Sequence, residues 1–140
     1  MKRRILVLVL LAFAIALPFA HAQMAATGTQ PRAVVSLYRV APGKHLEFLK
    51  WMAARDRVAH DAGLPATRWY AHVDGDAWDY VAISPETTPE QDRKVDELSR
   101  QRGLSIGMKA ALEFRGMIAW HTDTLTVGPV AADDLLKMAQ

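Results

Sequence analysis

No cysteine occurs among the 140 residues. That absence rules out disulfides, thiolate metal ligands, a cysteine nucleophile and the lipid attachment of a bacterial lipoprotein. No G-x-S-x-G elbow surrounds Ser36, Ser84, Ser99 or Ser105, so the usual serine-hydrolase arrangement is missing as well. There is no P-loop and no G-x-G-x-x-G. The run Gly103–Gly107 (GLSIG) lacks both the following Lys-Ser/Thr and a preceding strand. There is no internal repeat and no low-complexity tract. Neither sign of charge dominates, since the formal net charge is only +2. No hydrophobic run reaches membrane-spanning length either. The longest, Ile5–Leu17, has 13 residues, and a helix needs about 20 to cross the hydrocarbon core.

That run does have a setting. Lys2, Arg3 and Arg4 precede it, and Pro18-Phe19-Ala20-His21-Ala22 follows with small residues at −3 and −1 of a cleavage point. A basic start, an apolar stretch and an Ala-x-Ala end predict a cleavable signal peptide over 1–22, cut after Ala22. Arg3-Arg4 is too short a context for the twin-arginine route, so general secretion is expected. The mature protein is expected in the periplasm or outside the cell, with no membrane attachment after cleavage. Losing Lys2, Arg3 and Arg4 takes the formal charge from +2 to −1. The remaining chain therefore shows no basic stripe for nucleic acid, and none is expected as a partner. At about 118 residues it suits one domain with one core.

Residues 23–32 (QMAATGTQPR) read as a flexible N-terminus. Ala33–Val40 is β-branched and aromatic and predicts a strand with apolar groups on both faces. Ala41-Pro42-Gly43 breaks it. Lys44–Ala62 predicts a helix whose inward stripe is Leu46, Leu49, Met52 and Ala53, flanked by Phe48 and Ala59. Gly63 and Pro65 end it. Ala66–Val73 and Ala77–Ser84 predict two strands joined by a hairpin turn at Asp74-Gly75-Asp76. Thr88-Pro89-Glu90-Gln91 opens a second helix through a capping box with proline at its first position. Within it only Val95 and Leu98 are apolar, so most of its surface should be solvated. Ser105–Glu113 adds a helical piece with Met108, Ala111 and Leu112 facing in, and Met117–Val127 is the last strand. Residues 128–140 form a tail with a short helix at most.

The order β-α-β-β-α-β over residues 33–127 predicts a ferredoxin-like α+β domain, an antiparallel sheet with helices on one face. Its other face carries aromatics and needs cover, which a second copy would supply. Together with the stretch Pro42-Gly43-Lys44 and Leu46-Glu47-Phe48-Leu49, this order resembles the dimeric α+β barrel superfamily of antibiotic-biosynthesis-monooxygenase-like, EthD-like and NIPSNAP-like domains. The resemblance implies homodimers with a pocket between sheet and helices. It also implies a range of roles, among them cofactor-free oxygenases, haem-handling enzymes and small-molecule isomerases. No catalytic motif of any one of these is present, and a fold does not transfer an activity.

On the predicted strands, Arg68, Tyr70 and His72 alternate on one face. Trp78 and Tyr80 share a face, Trp120 and Thr122 share another, and His121 and Asp123 lie opposite those two. Arg68, Tyr70, His72, Trp78, Tyr80 and Trp120 are thus candidate binding residues: aromatic walls with an arginine for an anion. His72, His121 and Tyr80 are the candidate acid–base groups. The plainer reading puts Arg68 and His72 at an interface or in solvent and makes the aromatics packing. No metal site is expected, because zinc needs three or four ligands and no two histidines lie within a turn or an alternation of each other. Haem has no C-x-x-C-H attachment, and His45 and His60 read as solvated helix residues. The weak calcium-loop pattern at Asp74-Gly75-Asp76 with Asp79 fails at Trp78, where an oxygen ligand belongs. The charged run Asp92–Arg102 reads as a wet helix face.

The sequence therefore predicts an exported homodimer that needs no cofactor and binds a small, partly apolar molecule, or serves a structural or stress role. The alternative is a cofactor-free oxygenase or isomerase acting on a small organic substrate. A third possibility is an interaction module that uses the 130–140 tail.

Overall fold

The computed structural model describes residues 31–140, so the predicted signal peptide and nearly all of 23–32 lie outside the described residues. The elements are β1 (Arg32–Val40), α1 (His45–Asp61), β2 (Arg68–Ala71), β3 (Tyr80–Pro85), α2 (Pro89–Gln101), α3 (Gly107–Arg115), β4 (Ile118–Val127) and α4 (Ala132–Met138). The strands form one antiparallel sheet in the order β2-β3-β1-β4. The chain thus has the ferredoxin-like α+β fold, with the two central strands taken from opposite halves of the repeat. Among the described residues, no helix is long and apolar enough to cross a membrane.

Register decides which side chains meet. Tyr38 on β1 sits opposite Tyr80 on β3 and His121 on β4, and Ser36 sits opposite Ala82 and Asp123. These residues point toward the helices. Phe48 of α1 is fully buried against Tyr38, Val40, Ala82 and Met117, and Trp51, Met52, Trp69, Tyr80 and Phe114 close round that cluster. Tyr38 is its hub, with Phe48, Trp69 and Phe114 at centroid distances of 5.3, 5.8 and 6.1 Å. Pairs at this spacing add about 0.5–1.5 kcal/mol each beyond the area they bury.

Three local expectations change. The inward stripe of α1 is Phe48, Met52, Arg55, Ala59 and Ala62, while Leu46 and Leu49 point outward, 65% and 41% exposed. The aromatic cluster draws in Phe48, and the polar heads of Arg55 and Asp56 find partners across the helix–sheet gap, so the rotation that buries the leucines loses. On α3, Met108 and Leu112 likewise face out, because Ala110 and Phe114 hold the inward side. The hairpin between β2 and β3 is a loop over residues 72–79, not a tight turn at Asp74-Gly75-Asp76. Asp79 explains it. Its N–H donates to the Tyr38 carbonyl at 2.7 Å, its carboxylate accepts from the Val40 N–H at 2.6 Å, and its carbonyl accepts from His72 at 2.8 Å. Asp79 is thus tied to the end of β1, and the acidic tip is carried beyond it.

The capping box of α2 forms as expected. The Thr88 hydroxyl accepts from the Gln91 N–H, and the Gln91 side chain accepts from the Thr88 N–H, with Pro89 behind. Gly43 (φ 75°) turns the chain from β1 into α1, and Gly63 (φ 87°) takes it out of α1, two left-handed positions that favour glycine.

Candidate functional site

Between the helix-facing side of the sheet and helices α1, α2 and α3 lies a cleft of about 720 Å³. Its apolar walls come from Val34 and Leu125 of the sheet, Ala59 and Leu64 around the end of α1, and Ile106 and Ala110 at the start of α3. The polar groups come mostly from the helices. Asp56 lies one turn before His60 on α1, and its carboxylate accepts from the Trp69 indole N–H at 2.7 Å. Next to it, the Arg55 guanidinium lies 3.2 Å over the Trp51 ring and donates to the Ser105 carbonyl and hydroxyl at 3.0 and 3.2 Å. Burial pulls the Arg55 guanidinium down from its ordinary value, with nearby Glu113 acting against that. Glu113 accepts from Ser105 and from the Trp51 indole, and these two bonds hold its carboxyl below the usual range.

Tyr38 lies below this cleft, in the sheet. Burial raises its phenol above the ordinary value, a hydrogen bond with Ser36 lowers it, and the nearby Asp123 and Asp56 carboxylates raise it further. A hydroxyl held neutral near two carboxylates can donate a hydrogen bond but is a poor base at neutral pH. Tyr38, Arg55 and Asp56 were absent from the sequence-based candidates. A signal existed for Tyr38 and Ser36, two polar groups alternating on one side of an otherwise apolar strand. For Arg55 and Asp56 it was hidden, because charged residues on a helix read as its wet face.

The predicted site residues fall in two groups. Tyr80 and His121 face the helices. Tyr80 stacks on Phe48 at 5.7 Å, and His121 stacks on Tyr38 at 6.5 Å and meets the edge of Phe114 at 5.0 Å. Register puts Arg68, Tyr70 and Trp120 on the opposite, outer face, across from Ile83, Val81 and Arg39. Trp78 belongs to the 72–79 loop and parts from Tyr80. With Trp120, Leu37 and Arg39 it lines a hollow of about 390 Å³ on that outer face. His72 follows β2 and lies against Trp78, ring centroids 5.0 Å apart, with its Nε2 buried and unbonded among the described residues. The structure therefore joins Trp78 with Trp120 and with His72. It keeps Tyr80 and His121 on the other side of the sheet.

Neither candidate histidine has a close polar partner. His121 Nε2 is 3.8 Å from Asp123, beyond hydrogen-bond reach. Another histidine–aspartate pair, His45 and Asp79, stands 3.5 Å apart at the end of β1. Among the described residues, no three His, Asp or Glu side chains are placed to hold a metal ion.

With its antiparallel sheet and one-sided helices, the chain has the fold that the dimeric α+β barrel resemblance implies. It is similar to a mutant of SnoaB, a cofactor-independent oxygenase from Streptomyces nogalater, at 18% identity and a TM-score of 0.51 over 74% of this chain and 98% of that one. It is also similar to At3g17210 from Arabidopsis thaliana, at 11% identity and a TM-score of 0.50 over 73% and 99% of the two chains. A dimeric ferredoxin-like protein of unknown function from Thermobifida fusca matches at 13% identity, a TM-score of 0.47, and 71% and 92% coverage. These likenesses are of fold. No protein-family model and no curated protein sequence matches the chain.

Proposed function

We propose that the protein is an exported homodimer that binds a small, partly apolar organic molecule in the cleft between its sheet and helices. One observation carries this reading: a cavity of about 720 Å³ with apolar walls and a few fixed polar groups. That volume suits a drug-sized or smaller ligand. The homodimer follows from the outer face of the sheet, where Leu37, Val35, Val81 and Ile83 line up with Tyr70 and Trp120, the last two about half exposed. A second copy packed face to face covers that surface. The resemblance to dimeric α+β barrels supports the same arrangement.

Binding without chemistry is favoured over catalysis because His121 lacks a hydrogen-bonded partner and the His72 Nε2 is enclosed on the far side of the sheet. The oxygenase or isomerase alternative draws support from the fold shared with SnoaB and from Tyr38 as a buried hydroxyl donor. Native mass spectrometry of the mature protein tests the proposal. A dimer carrying one small molecule per protomer is expected, and Ala59→Phe, which fills the cleft, keeps the dimer and loses the ligand. A bare monomer would overturn it. Fractionation of expressing cells checks the export: the protein is expected outside the cytoplasm and shortened after Ala22.

A further inference from the structure

The chemistry of the cleft narrows what it takes, and the inference that follows rests on the binding reading above. Five carboxylates line the cavity: Asp56, Glu86, Asp92, Asp96 and Asp123, against one cation, Arg55. Their existing partners matter. Glu86 is matched by Arg32 at 3.2 Å. Asp56 and Asp92 accept from the neutral donors Trp69 and Thr87, which orient them without cancelling charge. Asp123 has only His121, 3.8 Å away. The charge of Arg55 is already engaged by the Trp51 ring, by Ser105 and by the nearby Glu113.

A second observation points to an occupant. Ser99 of α2 lines the same cavity and is only 5% exposed, and no hydrogen bond engages its hydroxyl among the described residues. A hydroxyl enclosed in this way is suited to a polar group on a ligand. Apolar walls, uncancelled negative charge and this free hydroxyl describe one kind of guest. We infer that the cleft selects an organic cation, a primary or secondary ammonium carried on an apolar or aromatic body. An organic anion, which the arginine alone would have suggested, meets a cation already engaged and a ring of like charge.

Three probes with one aromatic body and different charge test this on the full mature protein: naphthylmethylamine, naphthylmethanol and naphthoate. Binding is read by calorimetry and located by the backbone amide resonances of Leu64, Ser99 and Ile106. The amine is expected to bind about tenfold or more tighter than the alcohol, and naphthoate weakest. That preference should shrink with added salt and in Asp96→Asn, a change at an exposed position on α2 that leaves the fold intact. If the alcohol or naphthoate binds at the cleft as tightly as the amine, the charge selection is overturned while the binding cleft stands. If none of the three moves the cleft resonances, the selection and the cleft reading fall together.

Discussion

The two faces of the sheet share the same four strands and differ in almost everything else. The helix-facing side holds Ser36, Tyr38 and Ala82, all less than a tenth exposed, with an aromatic cluster at one end and a charged cleft at the other. The outer side holds Val35, Leu37, Val81 and Ile83, flanked by Tyr70 and Trp120 and with no helix over them. One face completes its packing within the protomer. The other has the composition of a core and lacks a covering layer. On the inner face polar groups are matched one to one, as with Trp69 and Asp56. On the outer face the shared property is apolar area, which is not directional.

Substitutions on the two faces should therefore fail differently. Phe48→Ala opens a cavity under the Tyr38 hub and should lower stability by about 3–5 kcal/mol in urea unfolding. Leu37→Lys puts a charge on the outer face. It should change protomer folding little and shift a sedimentation profile from dimer to monomer. A destabilisation as large as that of Phe48→Ala, with no change of assembly, would break the contrast. Asp79→Ala removes the acceptor that holds the end of β1 and should cost about 1–3 kcal/mol, with the 72–79 loop exchanging its amide hydrogens faster. Thr88→Ala removes half of the α2 capping box, far from either face, and should cost about 1 kcal/mol. The last effect is confined to alkaline pH. Because the Tyr38 phenol is held above its ordinary value of 10.0, its contribution is complete below that pH and is lost as pH climbs through the folded value. A stability titration should fall there, and Tyr38→Phe should flatten it.

Much of the inner face was legible in the sequence. The period-two pattern of Ala33–Val40 and the Thr88–Gln91 box each specify an element by local rules, and both formed. The strand order followed from the succession of elements. The α1 stripe was misread because that helix has two apolar stripes, and the choice between them belongs to tertiary partners. Phe48 wins through contacts with β1, β2 and β3 that no spacing within the helix announces. The turn at Asp74-Gly75-Asp76 was misread for a related reason, since Asp79 is bonded to a strand about forty residues earlier in the chain. Arg55 and Asp56 escaped the site reading because their acceptors and donors, Ser105 and Trp69, come from other elements.

Asp123 has one more consequence, through its place on β4, a ten-residue strand at the margin of the sheet. A strand of that length with a free side is a template on which further chains can add and grow into fibrils. A carboxylate set inward at its middle makes each such addition bury a charge. The residue that helps colour the cleft also acts as a guard against polymerisation, and a variant that neutralises it should be the first to form thread-like aggregates on storage.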